Sequence, residues 1–237
     1  MNLPIGFRHS IASARRALFE VLGSARYSRL SLNGLDRKLE RHLDFNGGFF
    51  VEAGANDGLK QSNTYYFERM RGWTGLLIEA EPTLAEICRK NRRVPVIHAA
   101  LVAENVAGAM VQLHYADLMS TIDGAIGDAD ATARHIQSGL IAQGLQNTRT
   151  VSIPARSLSA LFDEARISCS IDLLSLDVEG AEPAALRGID FTRHAPRMIC
   201  VEARDSAAIS DVLEPRYKLV EVLTDYGAHR DLLYGLK

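Results

Sequence analysis

Along the chain, short and mostly apolar runs alternate with stretches of helical period. The runs are Phe49-Phe50-Val51, Leu76 to Ile78, Val94 to Leu101, Ile171 to Leu176 and Met198 to Val201. Strands with apolar residues at successive positions are covered on both faces, which predicts a parallel sheet with helices on either side. The intervening helices are predicted at Leu35–Leu43, from Tyr65, from Pro82 to about Arg92, at about Ser159–Ala165 and from Pro183. Two prolines, Pro82 and Pro183, suit helix starts, where a missing N–H costs nothing. YKLVEVLTDY (217–226) and RDLLYGL (230–236) flank Gly227-Ala228-His229 and predict an antiparallel hairpin at the end of the sheet.

Between the third and fourth runs the pattern changes. Residues 102–115 alternate around Gly108, which predicts an added hairpin. A helix is predicted from Ala129 to Leu145 and an extended segment in TRTVSIPARS. The resulting organisation is a helical extension over 1–45 and a doubly wound α/β domain over 46–237 with an insertion at about 102–150. Within it, residues 117–147 could form a lid or a substrate-selecting wall.

The first run ends in FFVEAGANDG, a strand followed by a glycine turn of the kind that makes a nucleotide site at the carboxyl edge of such a sheet. Gly54 and Gly58 let the backbone turn sharply and approach a ligand without a Cβ in the way. Glu52 and Asp57 in the same stretch would repel a pyrophosphate and suit a cation-bearing ligand. GLLIEAEP (75–82) brings Glu79 to the tip of the second strand, where an acid can accept bonds from ribose hydroxyls. Ser62 and Asn63 either cap the helix that follows or face the ligand; both roles can hold at once. His98 is read as a satisfied edge histidine, and Trp73 as packing.

IDLLSLDVEGAEPAALRGID (171–190) delivers Asp177 and Glu179 to the carboxyl edge beside the first strand, and MICVEAR does the same for Glu202. Clustered acids repel one another, so something must offset them. They could take a proton from a substrate hydroxyl, ligate a divalent cation or balance a sulfonium. In the alternative, structural arrangement, Glu179 caps the neighbouring helix and Asp177 pairs with an arginine.

Composition narrows the partners. A net charge of −2 over 237 residues gives no field for nucleic acid. Cys88, Cys169 and Cys200 lack metal-ligand spacing and suit reduced thiols in a cytoplasmic protein. No apolar run approaches the roughly 20 residues needed to span a bilayer. The first thirty residues are nonetheless basic: Arg8, Arg15, Arg16, Arg26 and Arg29 stand against Glu20 alone. Ile11, Ala14, Leu18, Val21 and Leu22 fall at helical spacing there. The helix is expected to pack on the domain, or to offer a surface to an anionic membrane or partner.

Together, FFVEAGANDGLKQSNTYYFE, GWTGLLIEAEP, IDLLSLDVEGAE with LRGID, and MICVEA resemble the FkbM-type methyltransferase family, from about Leu32 to the C-terminus. The resemblance implies S-adenosylmethionine as cofactor and a Rossmann-like class I methyltransferase sheet of seven strands. It implies methyl transfer, usually to oxygen, on a glycan, glycolipid or secondary metabolite. Carried over residue by residue, it places Glu52, Gly54, Asn56, Asp57 and Gly58 in the cofactor loop. Ser62 and Asn63 lie at the cofactor's amino-acid end, Glu79 at its ribose, and Ala99 where adenine finds apolar cover. Asp177 and Glu179 face the transferred methyl; a divalent metal on Asp177, Glu179 and Glu202 is possible but not expected. Two other classes stay open: a nucleotide-dependent oxidoreductase, and a non-catalytic binding module on the same fold.

Overall fold

A computed structural model describes the backbone of residues 5–167 and 169–237, with side chains from Ile11 onward. Two helices, α1 (Ile5–Val21) and α2 (Leu35–Glu40), precede β1 (Phe49–Ala53). The chain then runs α3 (Tyr65–Met70), β2 (Thr74–Glu79), α4 (Pro82–Asn91), β3 (Val96–His98) and β4 (Ala100–Leu101). The insertion holds β5 (Met110–His114), β6 (Thr121–Ile122), α5 (Ala129–Gln143) and β7 (Thr150–Arg156). Next come α6 (Leu158–Glu164), β8 (Leu173–Leu176), α7 (Glu182–Arg187) and β9 (Met198–Ala203). The last elements are α8 (Ser206–Leu213), β10 (Tyr217–Asp225) and β11 (Arg230–Leu236).

The long apolar runs assemble into a seven-stranded sheet in the order β10-β11-β9-β8-β1-β2-β3. Only β11 is reversed, antiparallel to both β9 and β10. Both faces are covered, as the unbroken apolar runs require. Val51, Leu76, Leu174 and Val201 pack with Leu161, Leu186 and Ile209 on one side. Phe50, Leu77, Leu173 and Cys200 pack with Leu39, Phe67 and Cys88 on the other. Each fully covered side chain of this size contributes about 1.5–3 kcal/mol of transfer free energy. The winding reverses between β1 and β8, so the loops leaving these strands diverge and open a crevice at the carboxyl edge.

Three local expectations change. The third run is two strands: β3 closes the large sheet, and Ala99 passes the chain into β4, which pairs with β7 in a second sheet ordered β4-β7-β5-β6. The hairpin expected around Gly108 does not form. β5 pairs instead with the distant β7, and β7 also takes the N–H groups of Val102 and Gly108 on its carbonyls. Alternation could not reveal a partner some forty residues away.

The third change concerns α1, which forms as expected but presents a different side. It docks through Phe19, edge-on to Tyr27, and through Glu20, which bonds Arg69 and the Ser28 hydroxyl. Ile11, Leu18, Val21 and Leu22 are left exposed. An acid held between two partners at 5% side-chain exposure anchors the helix more firmly than the aliphatic row would. Arg15 lies over the Tyr27 ring and Arg29 pairs with Glu40; the side chain of Arg8 falls outside the described residues. Among the described residues no helix is long and apolar enough to cross a membrane.

Candidate active site at the carboxyl edge

The loop after β1 is held by its own atoms. Gly54 has φ +84°, and a Cβ there would lie 1.7 Å from the Asp177 carbonyl oxygen, so only glycine lets β1 and β8 end side by side. Gly58, at φ +82°, leaves room for Arg92 Cγ, 2.7 Å from where its Cβ would stand. The N–H groups of Gly54 and Ala55 bond Ile78 O, that of Gly58 bonds Ala55 O, and that of Asn56 bonds Glu79 Oε2 at 2.7 Å. Asn56 Oδ1 accepts from Asp57 N, and Asp57 Oδ1 accepts from Leu59 N and Lys60 N. Every backbone donor from Gly54 to Lys60 is therefore already used.

Several predicted residues stand where the loop reading put them, but their polar groups turn inward. Asp57 spends its carboxylate on the loop backbone and stands back from the cavity. Glu52, 4% exposed, accepts from Ser62 Oγ, Asn63 N, Thr64 Oγ1 and Arg92 Nη1. Arg92, with a fully buried side chain, also holds Glu68 at 2.6 Å. Ser62 receives the N–H of Tyr65 and so caps α3, while Asn63 donates to Ser175 Oγ. A small recess remains between these groups and Asp177, bordered by Lys60 and Gln61.

The site's main cavity, about 670 Å³ including its open mouth, lies between the glycine loop, the tips of β2 and β8 and the inserted sheet. Glu79 sits on its floor with each carboxylate oxygen taking one backbone N–H, from Asn56 and Glu81. Further lone pairs remain for ligand hydroxyls. Ile78, Ala99, Leu101, Leu113 and Ile122 give it apolar walls; His98 is satisfied by Ala80 O outside it. The insertion supplies one wall and latches it: Asp117 pairs with Lys60 and takes a bond from Asn56 Nδ2.

Asp177, Val178 and Glu179 close the cavity on the β8 side. Glu179 adopts φ +53°, a left-handed conformation uncommon for a residue with a side chain, and Glu182 holds this turn by accepting from Val178 N and Gly180 N. Arg204 pairs with Glu179 and lies 3.6 Å from Glu202, while His135 stands 3.5 Å from Glu179. Thus the structural alternative for these acids is reassigned: Glu182 does the turn capping, and the arginine pairs with Glu179 rather than with Asp177. Asp177 Oδ1 is buried with no hydrogen-bond partner among the described residues. Carboxylate oxygens of Asp177, Glu179 and Glu202 lie within 4.8 Å of one another, spacing that could hold a divalent ion. The Arg204 guanidinium already stands against two of the three and would have to move aside. Arg204, Glu182, His135 and Asp117 were not singled out by sequence; Arg204, His135 and Asp117 act through partners distant along the chain, and Glu182 through the turn just before it.

Burial raises these acids. Glu79 is pushed up to about 7 by desolvation, and Glu179 to about 8 by desolvation and the neighbouring Asp177. Glu202 rises to about 8 through desolvation and Glu179, and Asp177 rises well above the usual range for desolvation and its repulsion by Glu202. Between the ordinary value of 4.5 and about 8 the folded chain holds protons that the unfolded chain releases. Stability conferred by those protons is complete below that window and is lost as pH rises through it. The depressed acids, Asp163, Asp190, Glu221 and Asp225, act in the opposite sense below that window, and His135 and His229, whose proton affinity burial lowers, do so below their ordinary value of 6.5. Thermal melts of the ligand-free protein should therefore give a Tm at least about 5 °C lower at pH 8.5 than at pH 6.5. A Tm that rises over this interval would show these carboxyls ionised throughout.

A sheet of this strand order, parallel but for one reversed strand next to the last, is that of the Rossmann-like class I methyltransferases. The chain belongs to the Methyltransferase FkbM domain family, which matches residues 52–233. No protein of curated function matches the sequence significantly. Among solved structures it is similar to a methyltransferase FkbM from Methylobacillus flagellatus KT. That match has 14% identity and a TM-score of 0.48, covering 80% of this chain and 43% of that one, so this chain spans less than half its length. It is also similar to a TehB-like SAM-dependent methyltransferase from Corynebacterium glutamicum, with 11% identity, coverage of 97% and 99%, and a TM-score of 0.43. TrmN from Thermus thermophilus matches at 12% identity and a TM-score of 0.44, over 90% of this chain and 53% of that one.

Proposed function

We propose that the protein is an S-adenosylmethionine-dependent O-methyltransferase acting on a hydroxyl of a sugar, glycan, glycolipid or secondary metabolite. The observation that carries this reading is the saturated glycine loop. With every N–H from Gly54 to Lys60 bonded internally, the loop has no donors to offer a pyrophosphate, which argues against a dinucleotide oxidoreductase. What the cavity offers instead is carboxylate: Glu79, Asp117, Asp177 and Glu179 all border it. Such a lining fits a nucleoside that carries a cation and no phosphate.

The residues fit that group in detail. Glu79 would hold the ribose diol, and Ala99 with Leu101 and Leu113 would cover adenine. The recess between Glu52, Ser62, Asn63 and Asp177 would take the amino-acid end, and the unpartnered Asp177 Oδ1 would face the sulfonium. When bound, S-adenosylmethionine supplies a methyl group already activated for transfer. This chain's own residues then hold the acceptor oxygen in line, worth several kcal/mol of barrier, and remove its proton. Asp177 is the proposed base. Its raised affinity for protons makes the ionised form basic, and a cation beside it favours that form. Glu179, pinned by Arg204, sets the field around it. Three free thiols, Cys88 and Cys200 buried and Cys169 exposed, fit a reducing, cytoplasmic setting.

Titration calorimetry tests the reading. S-adenosylhomocysteine should bind and NAD should not; the reverse order would overturn it. Glu79→Ala should weaken S-adenosylhomocysteine binding by about 1.5–3 kcal/mol, since it removes a charged acceptor for two hydroxyls. An unchanged affinity in the folded variant would take Glu79 out of the site.

A further inference from the structure

Asp177 borders a second recess on the opposite side from the main cavity. About 380 Å³, its open mouth included, lies there under the carboxyl ends of β8 and β9 and the amino end of the reversed β11. Its roof is the chain between α1 and α2, joined to the glycine loop by a bridge from Ser31 to Gln61. Its far wall is the turn between β10 and β11, where Tyr226 stacks on His229 with ring centroids 4.5 Å apart and accepts a bond from Asn33.

Inside this recess the polar groups are unbalanced. Asp231, 6% exposed, faces Glu202 across the β9–β11 ladder, and its Oδ2 has no hydrogen-bond partner among the described residues. Asp177 Oδ1 is in the same condition. The cations nearby are fewer than the acids. Arg204 is shared between Glu179 and Glu202, and Lys38, hydrogen-bonded to Leu223 O and Thr224 Oγ1, lends its charge to Asp231 from a distance. His229, 3.5 Å from Glu202, has its proton affinity lowered by burial and by Arg204. The hydroxyls of Thr224 and Tyr226 are the other polar groups beside Asp231. Asn63 has committed its amide to Ser175. The recess therefore gathers more carboxyl groups than cations to pair with them, so without a ligand they retain protons, and a bound cation would favour their ionised forms.

We infer that this recess is the acceptor subsite, and that the acceptor carries a protonated amine near the hydroxyl to be methylated, as in an amino sugar or aminocyclitol. The ammonium sits between Asp231 and Glu202, and the hydroxyl beside it reaches Asp177, the residue that the recess shares with the main cavity. A neutral polyol could hydrogen-bond the same groups but would gain no ion pair from them. This rests on the methyltransferase reading above, because it takes Asp177 as the point where donor and acceptor meet.

The test measures methyl transfer from labelled S-adenosylmethionine to amine-bearing sugars and cyclitols, each paired with its N-acetylated counterpart, with S-adenosylhomocysteine binding measured in parallel. At least one amine should be methylated with a kcat/KM about tenfold or more above its acetylated partner. Asp231→Asn should raise KM for that amine by about tenfold. Its kcat and its S-adenosylhomocysteine affinity should stay near wild type, and its Tm should be equal or higher, since a buried carboxyl with an unpartnered oxygen is gone. A merely structural aspartate would instead lower Tm and leave KM alone, and that result overturns the inference. So does equal transfer to acetylated acceptors, or transfer to none of the amines while S-adenosylhomocysteine binds. Failure of wild-type protein to bind S-adenosylhomocysteine would instead bring down the methyltransferase reading itself.

Discussion

Asp177→Asn should lower kcat by about 10²–10⁴, the range for losing a positioned general base, while changing S-adenosylhomocysteine affinity little. The substitution keeps the shape of the side chain and the Asp177 N–H bond to Ala53 O that ties β8 to β1. It also removes one of several mutually repelling carboxyls, so the folded variant should melt at or above the wild-type temperature. Loss of turnover in a more stable protein cannot be a folding defect. Because the lost interaction belongs to the transition state, kcat and kcat/KM should fall together. The pH profile supplies a second check. In the wild type, activity should rise with pH as the buried carboxyl ionises, and in the variant that limb should flatten. Adding a chelator to wild-type enzyme tests the metal alternative: inhibition reversed by magnesium would mean that Arg204 yields its place to an ion. If the variant turns over at the wild-type rate, Asp177 is not the base and catalysis rests on positioning.

How far all this could be read beforehand depended on the physical origin of each feature. β1, β2, β8 and β9 were legible because burial on both faces writes a nearly unbroken apolar run, and the β10–β11 hairpin because a connection of four residues favours antiparallel pairing. Gly54 was legible as a tight turn, although the atom it makes room for is the Asp177 carbonyl and not a ligand. Pairing between charges was not legible. In sequence, Arg92 is one of two arginines at the end of a helix; in space it is the counter-ion of Glu52 and Glu68. Arg204 likewise follows a strand tip and acquires its role from Glu179, which reaches it only through a left-handed turn. Nor could aliphatic spacing orient α1, because the buried Glu20–Arg69 pair decides which side docks. Periodicity reports which positions avoid water, whereas the identity of a polar partner is set by tertiary geometry.

Arg92→Leu should destabilise the protein by about 3–5 kcal/mol, the cost of leaving buried carboxylates without their counter-ion. At about 2–4 °C per kcal/mol for a chain of this size, Tm should fall by roughly 6–20 °C. The guanidinium does more than pair with Glu52 and Glu68: it also bonds Gly58 O, Ser62 Oγ and Thr64 Oγ1, tying the glycine loop to the start of α3. Its loss should therefore also weaken S-adenosylhomocysteine binding, although Arg92 borders neither the main cavity nor the recess beside the loop. Leucine fills part of the volume but accepts no charge, so the damage is electrostatic more than steric. Adding Glu68→Gln to Arg92→Leu removes one stranded carboxylate and should recover part of the Tm, giving a non-additive double-mutant cycle. Arg92→Lys should fall between, because one ammonium cannot span both glutamates and the loop carbonyl. A Tm within 2 °C of wild type for Arg92→Leu would mean that Glu52 and Glu68 are neutral in the folded protein, and the loop's architecture would then rest on hydrogen bonds without a buried ion pair.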